Sequence, residues 1–222
     1  EGVAILPDID GDGLADVAIG ATHGSAGGRG YVEVRTGDGS VRWRVEAPTA
    51  HTATSRGWFG WNVASAGDVN ADGTTDLLVA DVHSYVRAYS GKDGERLLEL
   101  DYLGGYVHGE GTSLDGVGDL NGDGHGDFLI GANESSMHNH SDQGWVWIHS
   151  GSDGELLYRY DPGRNPGPEG GYGVDAAGIG DVDCDGLTDI AVAVPRAGRI
   201  EILSGQDFSL LFRLDAAALR RP

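Results

Sequence analysis

Apolar and polar positions alternate along this chain in short runs, and no segment of useful length carries the 3.6-residue period of a helix. Compact apolar runs at 17–21, 77–80, 128–132 and 190–194 are bounded by turn residues and predict strands. The runs that follow, at 31–35, 85–89, 145–149 and 199–203, alternate as half-buried strands do. A further strand follows each Gly-containing turn, as at 96–100 and 156–160. One more precedes each acidic segment, as at 60–66 and 173–179. The chain therefore predicts an all-β protein in which a four-strand unit returns every fifty-odd residues.

Two recurring marks fix the period. The first is acidic: DIDGDGLAD at 8–16, DVNADGTTD at 68–76, DLNGDGHGD at 119–127 and DVDCDGLTD at 181–189. Their first aspartates stand 60, 51 and 62 residues apart. The second is a Thr/Ser-Gly turn: TGDGS from Thr36, SGKDGE from Ser90, SGSDGE from Ser150 and SGQDFS from Ser204. Most of these contain or resemble the Asp-Gly turn of a tight hairpin. Repeated four-stranded antiparallel units predict a β-propeller, because one blade cannot bury both of its faces alone. The expected blades are roughly 1–46, 57–101, 110–161 and 171–215 of a single propeller domain or segment over 1–222. A β-sandwich of many short strands is the competing architecture, and strict return of the same unit argues against it.

The acidic segments have the form D-x-[DN]-x-D-G-x-x-D. Oxygens at positions 1, 3, 5 and 9, with the backbone carbonyl at 7, suit a hard cation that takes six to eight oxygens. The candidate ligands of loop one are Asp8, Asp10, Asp12 and Asp16, with the Leu14 carbonyl. Loop two offers Asp68, Asn70, Asp72 and Asp76, with the Thr74 carbonyl. In loop three they are Asp119, Asn121, Asp123 and Asp127, with the His125 carbonyl; in loop four, Asp181, Asp183, Asp185 and Asp189, with the Leu187 carbonyl. The expectation is about four Ca2+ per chain. An EF-hand needs Glu at position 12 and a following helix, whereas Ile19, Val79, Ile130 and Val192 stand there inside apolar strands. A metal-free Asp/Asn/Gly turn is the plain alternative for one loop, and four copies argue against it.

The loops carry a resemblance. The sequence is similar to the FG-GAP repeats of integrin alpha-subunit propellers and their bacterial relatives. Phe59-Gly60 precedes Asp68 where the family's FG stands, Tyr172-Gly173 precedes Asp181, and Glu110-Gly111 precedes Asp119. The GAP element survives as Gly20-Ala21-Thr22 and Gly131-Ala132-Asn133, and is replaced by Ala80-Asp81-Val82 and Val194-Pro195-Arg196 in the other two repeats. The resemblance implies structural calcium sites and a propeller used as an adhesion or recognition platform.

Charge and composition narrow the partners. Net charge is −20, which repels nucleic acid and anionic lipid. No apolar run has the length of a membrane span. The single cysteine, Cys184, at position 4 of loop four, excludes an intrachain disulfide and reads as a tolerated small residue, which leaves metal as the staple of a secreted chain. Glycine is abundant, at 39 residues, and serves tight turns. Loops at 23–30 and 134–144 lengthen the end opposite the acidic loops, where His51, Tyr106, His108 and His138 are the candidate ligand face. Trp58 and Trp61 read as core, as do Trp145 and Trp147. No nucleophile elbow, phosphate loop or zinc spacing stands out. The function expected is an extracellular or cell-surface binding module for a protein or glycan ligand. A carbohydrate-active or phospholipase-type enzyme propeller and a lectin are the alternatives. In repeat one the FG offset falls at or just before Glu1, so the expectation is a segment of a longer propeller or a half that pairs as a homodimer, with a self-closed four-blade monomer as the alternative.

Overall fold

A computed structural model describes residues 2–23, 30–48, 58–81, 85–101, 107–135, 143–160, 175–194 and 198–215. These form sixteen strands and, among the described residues, no helix. Blade one comprises β1 (Val3–Leu6), β2 (Asp16–Ala21), β3 (Tyr31–Arg35) and β4 (Val41–Glu46). Blade two comprises β5 (Phe59–Gly67), β6 (Asp76–Asp81), β7 (Tyr85–Tyr89) and β8 (Arg96–Asp101). Blade three comprises β9 (Val107–Gly118), β10 (Asp127–Ser135), β11 (Gln143–His149) and β12 (Leu156–Tyr160). Blade four comprises β13 (Asp175–Gly178), β14 (Ile190–Val194), β15 (Arg199–Leu203) and β16 (Leu210–Asp215). Each is a four-stranded antiparallel meander in chain order, so the protein is an all-β, propeller-type array of four blades. The acidic loops join first to second strands. They share one end of the array with the Thr/Ser-Gly turns that join third to fourth strands.

Each blade has one face toward the preceding blade and one toward the following blade, because side chains alternate across a strand. Leu6, Ala18, Val32, Val34 and Trp43 of blade one pack against Phe59, Val63, Leu77, Val79, Tyr85 and Tyr89 of blade two. The other face of blade two, with Leu78, Ala80, Val86 and Ala88, packs against Leu114, Phe128 and Ile130. Blade three then turns Leu129, Val146, Ile148 and Tyr160 toward Ala176, Ile190, Val192 and Leu203. Among the described residues the core is therefore a row of three inter-blade layers.

The FG and GAP elements meet across the first of these layers. A Cβ on Gly20 would fall well inside van der Waals contact of the Gly60 carbonyl, so the two backbones touch. Gly60 itself has φ 82°, a conformation glycine adopts without steric cost. Its neighbour Phe59 is fully buried and meets Tyr89 edge-on, with centroids 6.1 Å apart. The motif is thus a backbone-to-backbone seam with an aromatic anchor. Trp147 is half-buried against the core between blades two and three. Trp61 departs from the core reading: it remains 38% exposed and stacks edge-to-face on Trp58, with centroids 4.9 Å apart. Three residues before it, Trp58 is tied down by its backbone N–H, which donates to Asp81.

Candidate metal centre

The four acidic loops share one hydrogen-bond plan, built from short side chains accepting from their own backbone. In loop one the Asp8 carboxylate accepts from Gly11 N–H at 2.7 Å, Asp12 N–H at 3.1 Å and Gly13 N–H at 2.8 Å. Asp119 and Asp181 accept the equivalent three, and Asp68 accepts from Asp72 and Gly73. Position 3 accepts from the N–H of position 5 in every loop. Position 5 in turn accepts from the N–H of position 7, which sets the position-7 residue, Leu14, Thr74, His125 or Leu187. Such a wrap needs left-handed backbone twice. Position 6 is always Gly, at φ 84–95°. Position 4 is left-handed too, and there Ala71 and Cys184 stand at φ 58° and 68° where loops one and three have glycine. Cys184 is therefore held in a conformation that costs a side-chain-bearing residue about 1–2 kcal/mol.

The position-9 aspartates, Asp16, Asp76, Asp127 and Asp189, are fully buried. One oxygen accepts from the N–H of position 2, at 2.7–2.8 Å in all four loops. In blades two to four the other oxygen accepts from the glycine of the Ser-Gly turn: Gly91 at 3.0 Å, Gly151 at 3.0 Å and Gly205 at 2.9 Å. The Ser-Gly mark is thus more than a hairpin signature. Its glycine satisfies the buried carboxylate, and a Cβ there would collide with the position-8 carbonyl of Thr75, Gly126 or Thr188. Blade one has a turn one residue shorter, and Asp16 Oδ1 is buried without a hydrogen-bond partner among the described residues.

Adjacent loops are also linked. His125 Nδ1 lies 2.7 Å from the Val69 carbonyl, which can only accept, so Nδ1 carries the proton. Gly126 N–H donates to the Asp68 carbonyl at 2.7 Å. Ser152 Oγ donates to Asp123 at 2.9 Å, and nothing in the acidic motif pointed to that serine.

The residues fit a hard cation. In loops one and four, Asp8, Asp10 and Asp16, and Asp181, Asp183 and Asp189, each offer a carboxylate oxygen, all within 4.8 Å of one another. Loops two and three place Asn at position 3, and its amide donates to the position-5 carboxylate. Electrostatics agree. Burial pushes Asp76 up to about 6 against the N–H groups of Gly91 and Val69, and burial raises Asp127 as well. Desolvation, then the charges of Asp185, Asp189 and Asp181, raise Asp183. By contrast the N–H of Gly13 holds Asp8 below the usual range, and that of His125 does so for Asp123. Carboxylates that crowd one another and are partly desolvated are relieved by a cation among them.

On the proposed ligand face, His108 stands near the start of β9, paired with Glu134 and away from the loop end of that strand. His51, Tyr106 and His138 lie outside the described residues.

The geometry can now be set beside known proteins. The FG-GAP-like repeat model matches residues 8–79, starting at the first loop aspartate, and the FG-GAP repeat model matches 111–149. The chain belongs to the FG-GAP repeat family. Integrin alpha-PS5 of Drosophila melanogaster is 33% identical over 160 residues, covering 63% of this chain and 15% of that protein. Integrin alpha pat-2 of Caenorhabditis elegans is 27% identical over 224 residues, covering 88% of this chain and 18% of that protein. This FG-GAP chain thus spans less than a fifth of the length of either relative. Among solved structures, a protein of unknown function from Bacteroides caccae superimposes with a TM-score of 0.51 at 14% identity, over 97% of this chain and 60% of that one. Saccharomyces cerevisiae Sqt1 does so with 0.56 at 11% identity, over 99% of this chain and 48% of that one. These two likenesses concern fold alone.

Proposed function

We propose that this FG-GAP chain is a calcium-stabilised propeller module that works outside the cell in adhesion or recognition, taking a protein or glycan ligand at the end opposite its metal loops. The carrying observation is the loop plan repeated four times, with acidic oxygens gathered at one end of the array. An all-oxygen donor set with four or three carboxylates suits calcium better than zinc or copper, which favour nitrogen and sulfur. The ion's part is structural. Bound at a hundred times its dissociation constant, one site adds about 2.7 kcal/mol, and several rival the roughly 5–15 kcal/mol of an ordinary domain.

The similarity to integrin alpha chains supports the adhesion reading and an extracellular or cell-surface location. The described residues contain no helix long and apolar enough to cross a membrane. Loops on a rigid scaffold are where recognition resides, and the longer connections lie at the calcium-free end. A glycan array and a protein pull-down with the calcium-loaded chain test the reading. Alanine at His51, Tyr106, His108 or His138 is expected to weaken capture while leaving the melting temperature alone. Loss of capture on changing the Ser90-Gly91 or Ser150-Gly151 turns instead would place the ligand at the metal end and refute the assignment.

A further inference from the structure

Loop three holds the only Asn-Gly pair in the sequence, Asn121-Gly122. In such a pair the side-chain amide is open to attack by the next backbone nitrogen, because glycine puts no side chain in the path. Loop two supplies an internal comparison, with Asn70-Ala71 at the same two positions. Both following residues are left-handed, Ala71 at φ 58° and Gly122 at φ 79°. At the attacking residue the two loops therefore differ by one methyl group.

In the wrapped loop both reacting groups are engaged elsewhere. Gly122 N–H donates to Asp119 Oδ1 at 2.7 Å, and the same carboxylate takes the N–H groups of Asp123 at 3.1 Å and Gly124 at 2.8 Å. The Asn121 amide is pinned at both ends: its oxygen accepts from Asp123 N–H at 2.9 Å, and its nitrogen donates to Asp123 Oδ2 at 3.0 Å. Ser152 Oγ, from the Ser-Gly turn, donates to that same Asp123 oxygen at 2.9 Å. Residues 121–124 are nevertheless exposed to water. The lock is thus the wrap around Asp119 and Asp123, two of the loop's candidate cation ligands, and not burial.

We propose that Asn121 is a deamidation site that stays shut while loop three is wrapped and opens when the loop loses its cation and unwraps. The Gly122 nitrogen gives up its proton to solvent and bonds to Asn121 Cγ. The Cγ–Nδ2 bond breaks, and the amide nitrogen takes up a proton and leaves as ammonia. Water then opens the five-membered imide at either carbonyl, giving aspartate or isoaspartate. The sum is amide plus water to acid plus ammonia, with no change of oxidation state. The two products act in opposite directions. Aspartate gives loop three the Asp-x-Asp-x-Asp pattern of loops one and four, where the carboxylate oxygens of positions 1, 3 and 9 gather within 4.8 Å. Isoaspartate routes the main chain through Cβ, which adds a carbon between positions 3 and 4 and throws the N–H groups of 122–124 out of register with Asp119. Loop three thereby keeps an irreversible record of time spent without a cation.

The gate rests on the calcium reading above, whereas the site itself does not. Peptide mass mapping tests both, on chain held in warm, mildly alkaline buffer with calcium or with excess chelator. Calcium at a hundred times its dissociation constant holds the unwrapped form down about a hundredfold, so conversion at Asn121 is expected to be slower by about that factor than in chelator. Asn70 is expected to keep its amide in both buffers. Gly122→Ala is expected to stop conversion at Asn121: an added Cβ meets nothing within 4 Å, and loop two already carries Ala71 there. Circular dichroism checks that this variant keeps its fold. Asn121 and Asn70 converting at one rate in chelator would overturn the site, as would an Asn121 amide that survives there while urea-unfolded chain loses it. Equal rates at Asn121 in the two buffers, with calorimetry showing calcium bound, would overturn the gate. If calorimetry shows none bound, the calcium reading has failed, and the contrast between Asn121 and Asn70 still decides the site.

Discussion

Replacing Asp189 by alanine separates what the loop does for architecture from what it does for metal. The carboxylate is fully buried and accepts from Val182 N–H at 2.7 Å and Gly205 N–H at 2.9 Å, joining the acidic loop to the Ser-Gly turn. Truncation orphans both donors. A buried donor left unpaired costs about 1–3 kcal/mol, so the pair is worth roughly 2–6 kcal/mol. For a chain of this size each kcal/mol moves the melting temperature by about 2–4 °C, giving a fall of roughly 5–20 °C. That loss is expected both in calcium and in excess chelator, because backbone donors do not depend on the ion. Asp183→Ala is the contrast. Asp183 is exposed and, among the described residues, accepts only from Asp185 N–H at 3.1 Å, yet its carboxylate joins the oxygen cluster with Asp181 and Asp189. Its removal is expected to lower the melt in calcium and leave it almost unchanged in chelator. Thermal unfolding of parent and both variants, with and without chelator, decides. An Asp189→Ala melt that falls by less than a degree or two in chelator would refute the architectural role. An Asp183→Ala loss equal in both buffers would refute the metal role.

Three further outcomes are expected. Cys184→Gly relieves a side chain at φ 68° and raises stability by about 1 kcal/mol in denaturant titration, with or without calcium. Gly151→Ala drives a Cβ into the Gly126 carbonyl and separates loop three from its turn, so a loss of several kcal/mol and weaker calcium binding at that loop are expected in unfolding and calorimetry. Without metal, Asp76, whose folded value of about 6 lies above its unfolded 3.8, favours the folded state most below pH 4, and this contribution fades as pH rises through 6. The span is roughly 3 kcal/mol, read as the difference in apo stability between pH 4 and 7 that Asp76→Asn removes.

Period, strand order and the acidic motif were legible because each is local. Apolar runs between turn residues marked β2, β6, β10 and β14, and the Asp spacing marked the loops. What could not be read is what depends on one blade meeting another or on backbone angle. Position 4 looked like a site for any small residue, but it is a left-handed position, and Cys184 merely occupies it. The Ser-Gly mark looked like a hairpin turn, since the position-8 carbonyl that forbids a side chain there arrives from some fifteen residues or more away along the chain. Phe208 takes the place of a turn glycine at φ 60° and is compensated by stacking on Tyr158 of the preceding blade, with centroids 4.3 Å apart. Trp61 looked like core because periodicity does not reveal which strand end a neighbour covers.

Calcium titration calorimetry on chelator-stripped chain, checked by metal analysis after gel filtration, tests the central claim most directly. About four equivalents per chain are expected, with loops one and four, which carry four carboxylates each, filling before loops two and three. Fewer than two equivalents, or binding that leaves the melting temperature unchanged, would contradict the claim that these loops are the staples of the fold.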